Sequence, residues 1–131
     1  MKYILILLLV FTSVVTAKPN IIYINADDFG VMDVGFNNSK YHTPTIDRLR
    51  AEGMFFTNAY APASNCAPSR ACVFSGQYGP RHGVYTVGTS ARGQVKDRKL
   101  IPIKNTVHLA PEIETLSEVL QAGGYRTIHL G

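Results

Sequence analysis

The 131 residues suffice for one modest domain, and 46% hydrophobic with 17% charged residues is the balance of a globular chain, which excludes a disordered or low-complexity polymer. A formal net charge of +4 is only mildly basic. The one local concentration of Lys and Arg, over residues 92–99, is interrupted by Gly93 and Asp97 and reads as a solvated loop, so no nucleic-acid partner is expected.

In chain order, Lys2 precedes an apolar run at residues 4–11 and a small, polar stretch ending at Ala17. Ala17, with Val15 two before it, suits a peptidase site ahead of Lys18, and the run is too short to cross a bilayer comfortably. Residues 1–17 are therefore expected to be a cleaved signal peptide, with an uncleaved anchor as the alternative. The rest of the chain is expected to be exported, periplasmic or secreted, with no stable membrane partner.

Residues 20–25 form a short, β-branched apolar run that stops at Asp27-Asp28 and Gly30, as a buried parallel strand does. Its carboxyl end is where an open α/β sheet presents functional side chains. Over residues 43–53 a Thr cap candidate, Pro44 at the first helical position, Asp47 in the early turns and a closing Gly53 predict a short helix. The aromatic segment 54–60 predicts a second strand, which Pro62 ends. A loop through residues 64–70 leads into a helix that stops at Gly76, with Cys66 at or just before its N-terminus.

Residues 76–111 have no sustained period and predict a long irregular excursion with at most short strands, the kind of loop that is usually functional. Order returns at Thr115 and Glu118, a capping box that opens a helix closing at Gly123-Gly124. Residues 125–130 read as a further buried strand. Strand, helix, strand order points to an α/β architecture.

Three features bear chemistry. Asp27 and Asp28 read as a polar strand end, an acid/base pair or a hard-metal site. Consecutive strand side chains point to opposite faces, so both reach one ion only where the backbone leaves the extended form, which the Asp-Phe-Gly turn allows. Oxygen-only ligation selects calcium or magnesium, and calcium takes about 6–8 oxygens, more than these two side chains offer.

Cys66 is a disulfide partner for Cys72, a thiolate favoured by Arg70 and a helix N-terminus, or the precursor of another functional group. His42, His82, His108 and His129 form no recognisable Cys-His arrangement.

The run Cys66-Ala67-Pro68-Ser69-Arg70 resembles the Cys-x-Pro-Ser-Arg signature of type I sulfatases, in which the cysteine is oxidised to Cα-formylglycine. Composition alone yields those four fixed residues in about one chain in several thousand of this length. The resemblance extends to Asp27-Asp28-Phe29-Gly30, the helix that begins at Thr43, Phe55-Thr57-Asn58-Ala59-Tyr60, Ser75-Gly76-Gln77-Tyr78, and residues 116–125.

The resemblance implies an alkaline-phosphatase-like α/β fold, a large mixed sheet flanked by helices. Residues 18–131 would be the N-terminal, incomplete part of its catalytic domain, with the family's further lysines, histidines and metal pair past Gly131. The chain by itself is then expected to fold poorly and to hydrolyse no sulfate ester.

In the family the hydrated aldehyde attacks sulfur through one hydroxyl, the alcohol leaves, and the second hydroxyl expels sulfate and restores the aldehyde. By that resemblance Asp27, Asp28 and an oxygen of the modified Cys66 ligate calcium, with magnesium less favoured, and Arg70 steadies the diol and the ion site. His82 either lines a substrate subsite or sits on a surface loop. Partners implied are a formylglycine-generating enzyme and a sulfated small molecule or polysaccharide, with a carbohydrate sulfate preferred. The competing readings are a phosphonate or phosphate monoester hydrolase of the same fold and a catalytically inactive exported binding module.

Overall fold

The computed structural model describes residues 17–37 and 40–131, so the signal-peptide reading lies almost wholly outside the described residues. Four α-helices are present there: α1 (Pro44–Glu52), α2 (Cys66–Ser75), α3 (Gly79–His82) and α4 (Leu116–Ala122). Two short 3-10 turns, Gly35–Asn37 and Val95–Asp97, complete the regular structure.

The α1 boundaries follow the sequence signals. Pro44 stands in its first turn, where a missing N–H costs nothing, and Gly53 closes it by donating to Leu49 O at 2.9 Å. The helix buries no residue fully. It is tied to the preceding turn by polar and ring contacts: Gly35 N donates to Thr43 Oγ1 at 2.7 Å and Phe36 N to Asp47 Oδ1 at 3.2 Å. The Arg50 guanidinium lies 4.5 Å from the Phe36 ring centroid and 4.8 Å from that of Phe55, a cation held over two aromatic rings. Glycine at position 35 permits this approach without displacing the Asp47 carboxylate, which a Cβ there would meet at 2.7 Å.

Helix α2 also ends where the sequence indicates, at Gly76 in the left-handed region with φ 64°, a conformation that glycine adopts without steric cost. It packs on α3 and α4. The small core lies here: Ala71, Cys72, His82 and Val84 are buried, with Val34 buried as well. Helix α4 opens with the expected capping residues, the Glu118 carboxylate accepting from both the backbone N–H and the hydroxyl of Thr115 at 2.7 Å. Those two bonds, the hydroxyl's first, hold the Glu118 pKa below its ordinary value.

The predicted strands are the correction. Among the described residues there is no β-strand: residues 20–25, 54–60 and 125–130 carry no backbone ladder. Their apolar side chains face solvent, Ile22 being 85% exposed, Met54 81% and Leu130 89%. A strand propensity describes fit to a pleated, half-buried surface and becomes a strand only through paired neighbours. The mixed sheet of an alkaline-phosphatase-like fold is thus absent from the described residues, and the elements that organise the chain here are helical.

The excursion at 76–111 is irregular as expected, yet it holds α3 and a 3-10 turn rather than strands. No helix of the described residues is long and apolar enough to cross a membrane.

Candidate active site

Cys66 is the first residue of α2, with Asn65 as an extended N-cap at φ −119° and ψ 156°. Pro68 is tolerated in the first turn because its missing N–H has no intrahelical partner there. Arg70 follows Cys66 by four residues, so the two stand one turn apart on the same helix face. Both are exposed, while Pro68, Ala71 and Cys72 form the buried face. The Asn65 side chain makes no capping bond to the helix. It reaches instead to Thr86 Oγ1 at 3.5 Å, which leaves the first N–H groups of α2 uncapped by a side chain.

Arg70 joins this helix to the distant aspartate pair. Its Nη2 donates to Asp27 Oδ2 and its Nε to Asp27 Oδ1 at 3.3 Å, a two-point grip across 43 residues of sequence. With the Arg70 side chain 55% exposed and that of Asp27 35%, the pair adds at most about 1 kcal/mol to stability. Its role is to fix position, which the planar guanidinium does better than an ammonium. Asn25 Nδ2 also donates to Asp27 Oδ1, at 3.4 Å.

Asp28 has φ 50°, the one non-glycine left-handed residue among those described. Such a conformation costs about 1–2 kcal/mol and is the departure from extended backbone that two consecutive carboxylates need to serve one centre. The Asp28 carboxylate has no hydrogen-bond or ion-pair partner among the described residues. The Arg70 guanidinium offsets Asp27 and leaves the Asp28 charge uncompensated, in hard oxygen donors. A carboxylate offers about four acceptor sites, so Asp27 holds Arg70 and keeps capacity for a cation. The donor chemistry therefore fits part of a calcium or magnesium set.

The structure brings together some of the anticipated residues and not others. Cys66, Arg70 and Asp27 are connected through α2 and one ion pair. Among the described residues no three His, Cys, Asp or Glu side chains gather into a metal-binding group, so Asp27, Asp28 and Cys66 form no closed trio.

Cys66 and Cys72 are both free thiols, the first exposed and the second buried. Six residues of helix separate their Cα atoms by about 9 Å along the axis, beyond the reach of a disulfide. Cys72 Sγ lies 3.3 Å from His82 Nε2, and Val84 N donates to His82 Nδ1 at 3.0 Å. With Nδ1 accepting, the proton of a neutral ring sits on Nε2 and points at sulfur. His82 is 5% exposed, so it is buried at the α2–α3 junction rather than placed on a surface loop. Nothing in a lone histidine after Pro80-Arg81 signals this; burial of the α2–α3 junction decides it.

A sulfatase family model matches residues 19–131. An ulvan-active sulfatase of Formosa agariphila is 42% identical over 86 residues, which covers 65% of this chain and 17% of that protein. A sulfatase of the same organism is 37% identical over 126 residues, 87% of this chain and 22% of that protein. Human arylsulfatase A is 36% identical over 126 residues, 94% of this chain and 22% of its own. The chain thus spans about a fifth of the length of these curated relatives. No solved structure matches it. With every residue after Lys18 matched and a Cys-x-Pro-Ser-Arg run at the head of a helix, the chain belongs to the sulfatase family.

Proposed function

We propose that the protein hydrolyses sulfate esters, those of a carbohydrate in particular, with Cys66 as the site of the nucleophile. The observation that supports this best is Arg70 joining the helix that begins at Cys66 to Asp27, which draws a nucleophile position and a carboxylate pair into one neighbourhood.

Charge explains why those parts belong together. A sulfate ester is an anion, and Asp27 and Asp28 against Arg70 leave a negative excess that repels it. A divalent cation held by the two aspartates, calcium before magnesium, would reverse that sign and supply Lewis-acid polarisation of the sulfate oxygens. A formyl group at Cys66, installed by a formylglycine-generating enzyme, would supply as its hydrate one hydroxyl to attack sulfur and a second to release sulfate.

This chain's residues do the rest. Arg70 orients Asp27 and brings a permanent positive charge to the Cys66 face of α2. The uncapped first turn of α2 places positive helix-end charge at the anion's approach. Pro68 and Ser69 shape the turn and need no part in sulfate transfer. Residues 1–17 export the chain, and residues 18–131 are the N-terminal portion of the catalytic domain, which adopts the alkaline-phosphatase-like α/β fold.

The test is turnover by the full-length protein, produced with a formylglycine-generating enzyme, on a sulfate ester and the matching phosphate ester. Hydrolysis of the sulfate ester, lost with EGTA and restored by calcium, supports the proposal. Preferential hydrolysis of the phosphate ester contradicts it in favour of a phosphomonoesterase.

A further inference from the structure

Helix α2 carries its chemistry on one side and is seated by the other. Cys66 and Arg70 lie on the exposed face, while Pro68, Ala71 and Cys72 are buried. Cys72 follows Arg70 by two residues, about 200° round a helix of roughly 3.6 residues per turn, so their side chains leave the helix on nearly opposite sides. Whatever fixes the Cys72 side therefore fixes where the reactive face points.

Among the described residues, polar side-chain contacts tie α2 and its N-cap to other segments at three points. Two are exposed: Arg70 with Asp27, and Asn65 with Thr86. The third, Cys72 Sγ with His82 Nε2 at 3.3 Å, is buried, with Cys72 6% exposed.

The imidazole is itself locked. Val84 N donates to Nδ1 at 3.0 Å, which leaves Nε2 as the ring's donor and the sulfur as its acceptor. The contact thus has a direction. Apolar packing has none and lets a helix turn or slide, whereas a hydrogen bond to a locked ring weakens steeply when it is misaligned. Two apolar side chains would fill the junction without leaving polar atoms to satisfy, so what this pair adds is register rather than stability. Neither residue takes part in the chemistry proposed for Cys66.

We infer that His82 is a positioning residue: through the Cys72 sulfur it sets the rotation and height of α2 on α3, and so holds Cys66 and Arg70 in line with the aspartate pair. The inference rests on the sulfate-ester reading and adds to it the residue that aims the nucleophile. An attacking oxygen needs to stand about 3–3.5 Å from its target, and a misplacement of about 1 Å costs about a hundredfold in rate, so a contact that never touches the ester governs turnover by seating the helix.

The experiment divides the two ends of the ring in the full-length protein. His82→Gln keeps a donor for the Cys72 sulfur and loses the acceptor for Val84 N; His82→Asn keeps that acceptor and loses the donor. Turnover of 4-methylumbelliferyl sulfate is measured per mole of formyl group at Cys66, alongside the denaturation midpoint of each variant. His82→Asn should lower kcat at least about tenfold with KM changed less than about threefold, and His82→Gln should recover kcat to within about threefold of the unaltered protein. In a Cys72→Ala background, His82→Asn should lower kcat by less than about twofold further, because the shared contact is already gone. Losses in the Asn and Gln variants that follow their midpoints alike, or losses at His82 and Cys72 that multiply independently, overturn the inference. Cys72→Ala carries the same test if His82→Asn does not fold: kcat should fall at least about tenfold at unchanged formyl content, and an unchanged kcat overturns it. Hydrogen exchange at α2 depends on no ester and should quicken in His82→Asn but not in His82→Gln. If that split holds while the unaltered protein turns over no sulfate ester, the seating of α2 stands and the sulfate-ester reading fails.

Discussion

The junction of α2 and α3 and the segments at 20–25, 54–60 and 125–130 are opposites in what completes them. At the junction, Cys72, His82 and Val84 satisfy one another within thirteen residues of chain, and α2 carries its functional face on a closed, buried back. The apolar segments have the composition of buried strands but neither a ladder nor a cover among the described residues. Helices and caps need only near neighbours, whereas sheets need pairing with distant ones. The candidate site is anchored on the first kind of region, and its aspartate pair follows directly on the second.

The sharpest way to break this picture is at Cys66. Cys66→Ala should lower sulfate-ester turnover by about a thousandfold or more while leaving α2 in place, since the side chain is exposed and supports no packing. Retained turnover would remove Cys66 from the chemistry.

Arg70→Lys keeps the charge and loses the two-point grip on Asp27. Turnover should fall about a hundredfold, measured as kcat/KM, and a fall below about threefold would show that the link between α2 and the aspartates does not matter.

Next in size is the junction. His82→Ala leaves the Val84 N–H and the Cys72 sulfur without their partner and should cost about 1–3 kcal/mol, read from the denaturation midpoint of the full-length protein. The exposed His108→Ala is the comparison; equal midpoints for the two variants would mean that the junction is not the local core.

The smallest effect lies at the start of α4. The Glu118 pKa is lowered by the Thr115 hydroxyl and then by its N–H, so the carboxylate supports the helix above its ordinary pKa of 4.5. That support fades as pH falls through the lowered folded value. Glu118→Gln should weaken the acid dependence of hydrogen exchange at α4, and an unchanged profile would show that the cap is not coupled to titration.

Much of the site was legible because its signals are local. Thr43, Pro44 and Gly53 bound α1, Gly76 ends α2, and Thr115 with Glu118 opens α4, each through backbone chemistry that a short window contains. The sequence also placed Cys66 at a helix start and Asp28 at a turn.

No spacing rule links Arg70 to Asp27, 43 positions apart; only the family resemblance set Arg70 beside the aspartate pair. The buried His82 against Cys72 was missed because burial depends on α2 meeting α3, whereas the loop at 92–99 is largely exposed, as its composition indicated. The expected strands are unformed among the described residues for the converse reason: their side chains announce a sheet whose pairing partners no local pattern can provide.

The proposed chemistry turns on what Cys66 becomes. Mass spectrometry of the Cys66 peptide, from full-length protein produced with a formylglycine-generating enzyme in an exporting host and digested with and without reduction, tests it most directly. The predicted result is an aldehyde or its hydrate at Cys66 with Cys72 a free thiol. An unmodified Cys66, or a reducible Cys66 to Cys72 bridge, would contradict the nucleophile assignment.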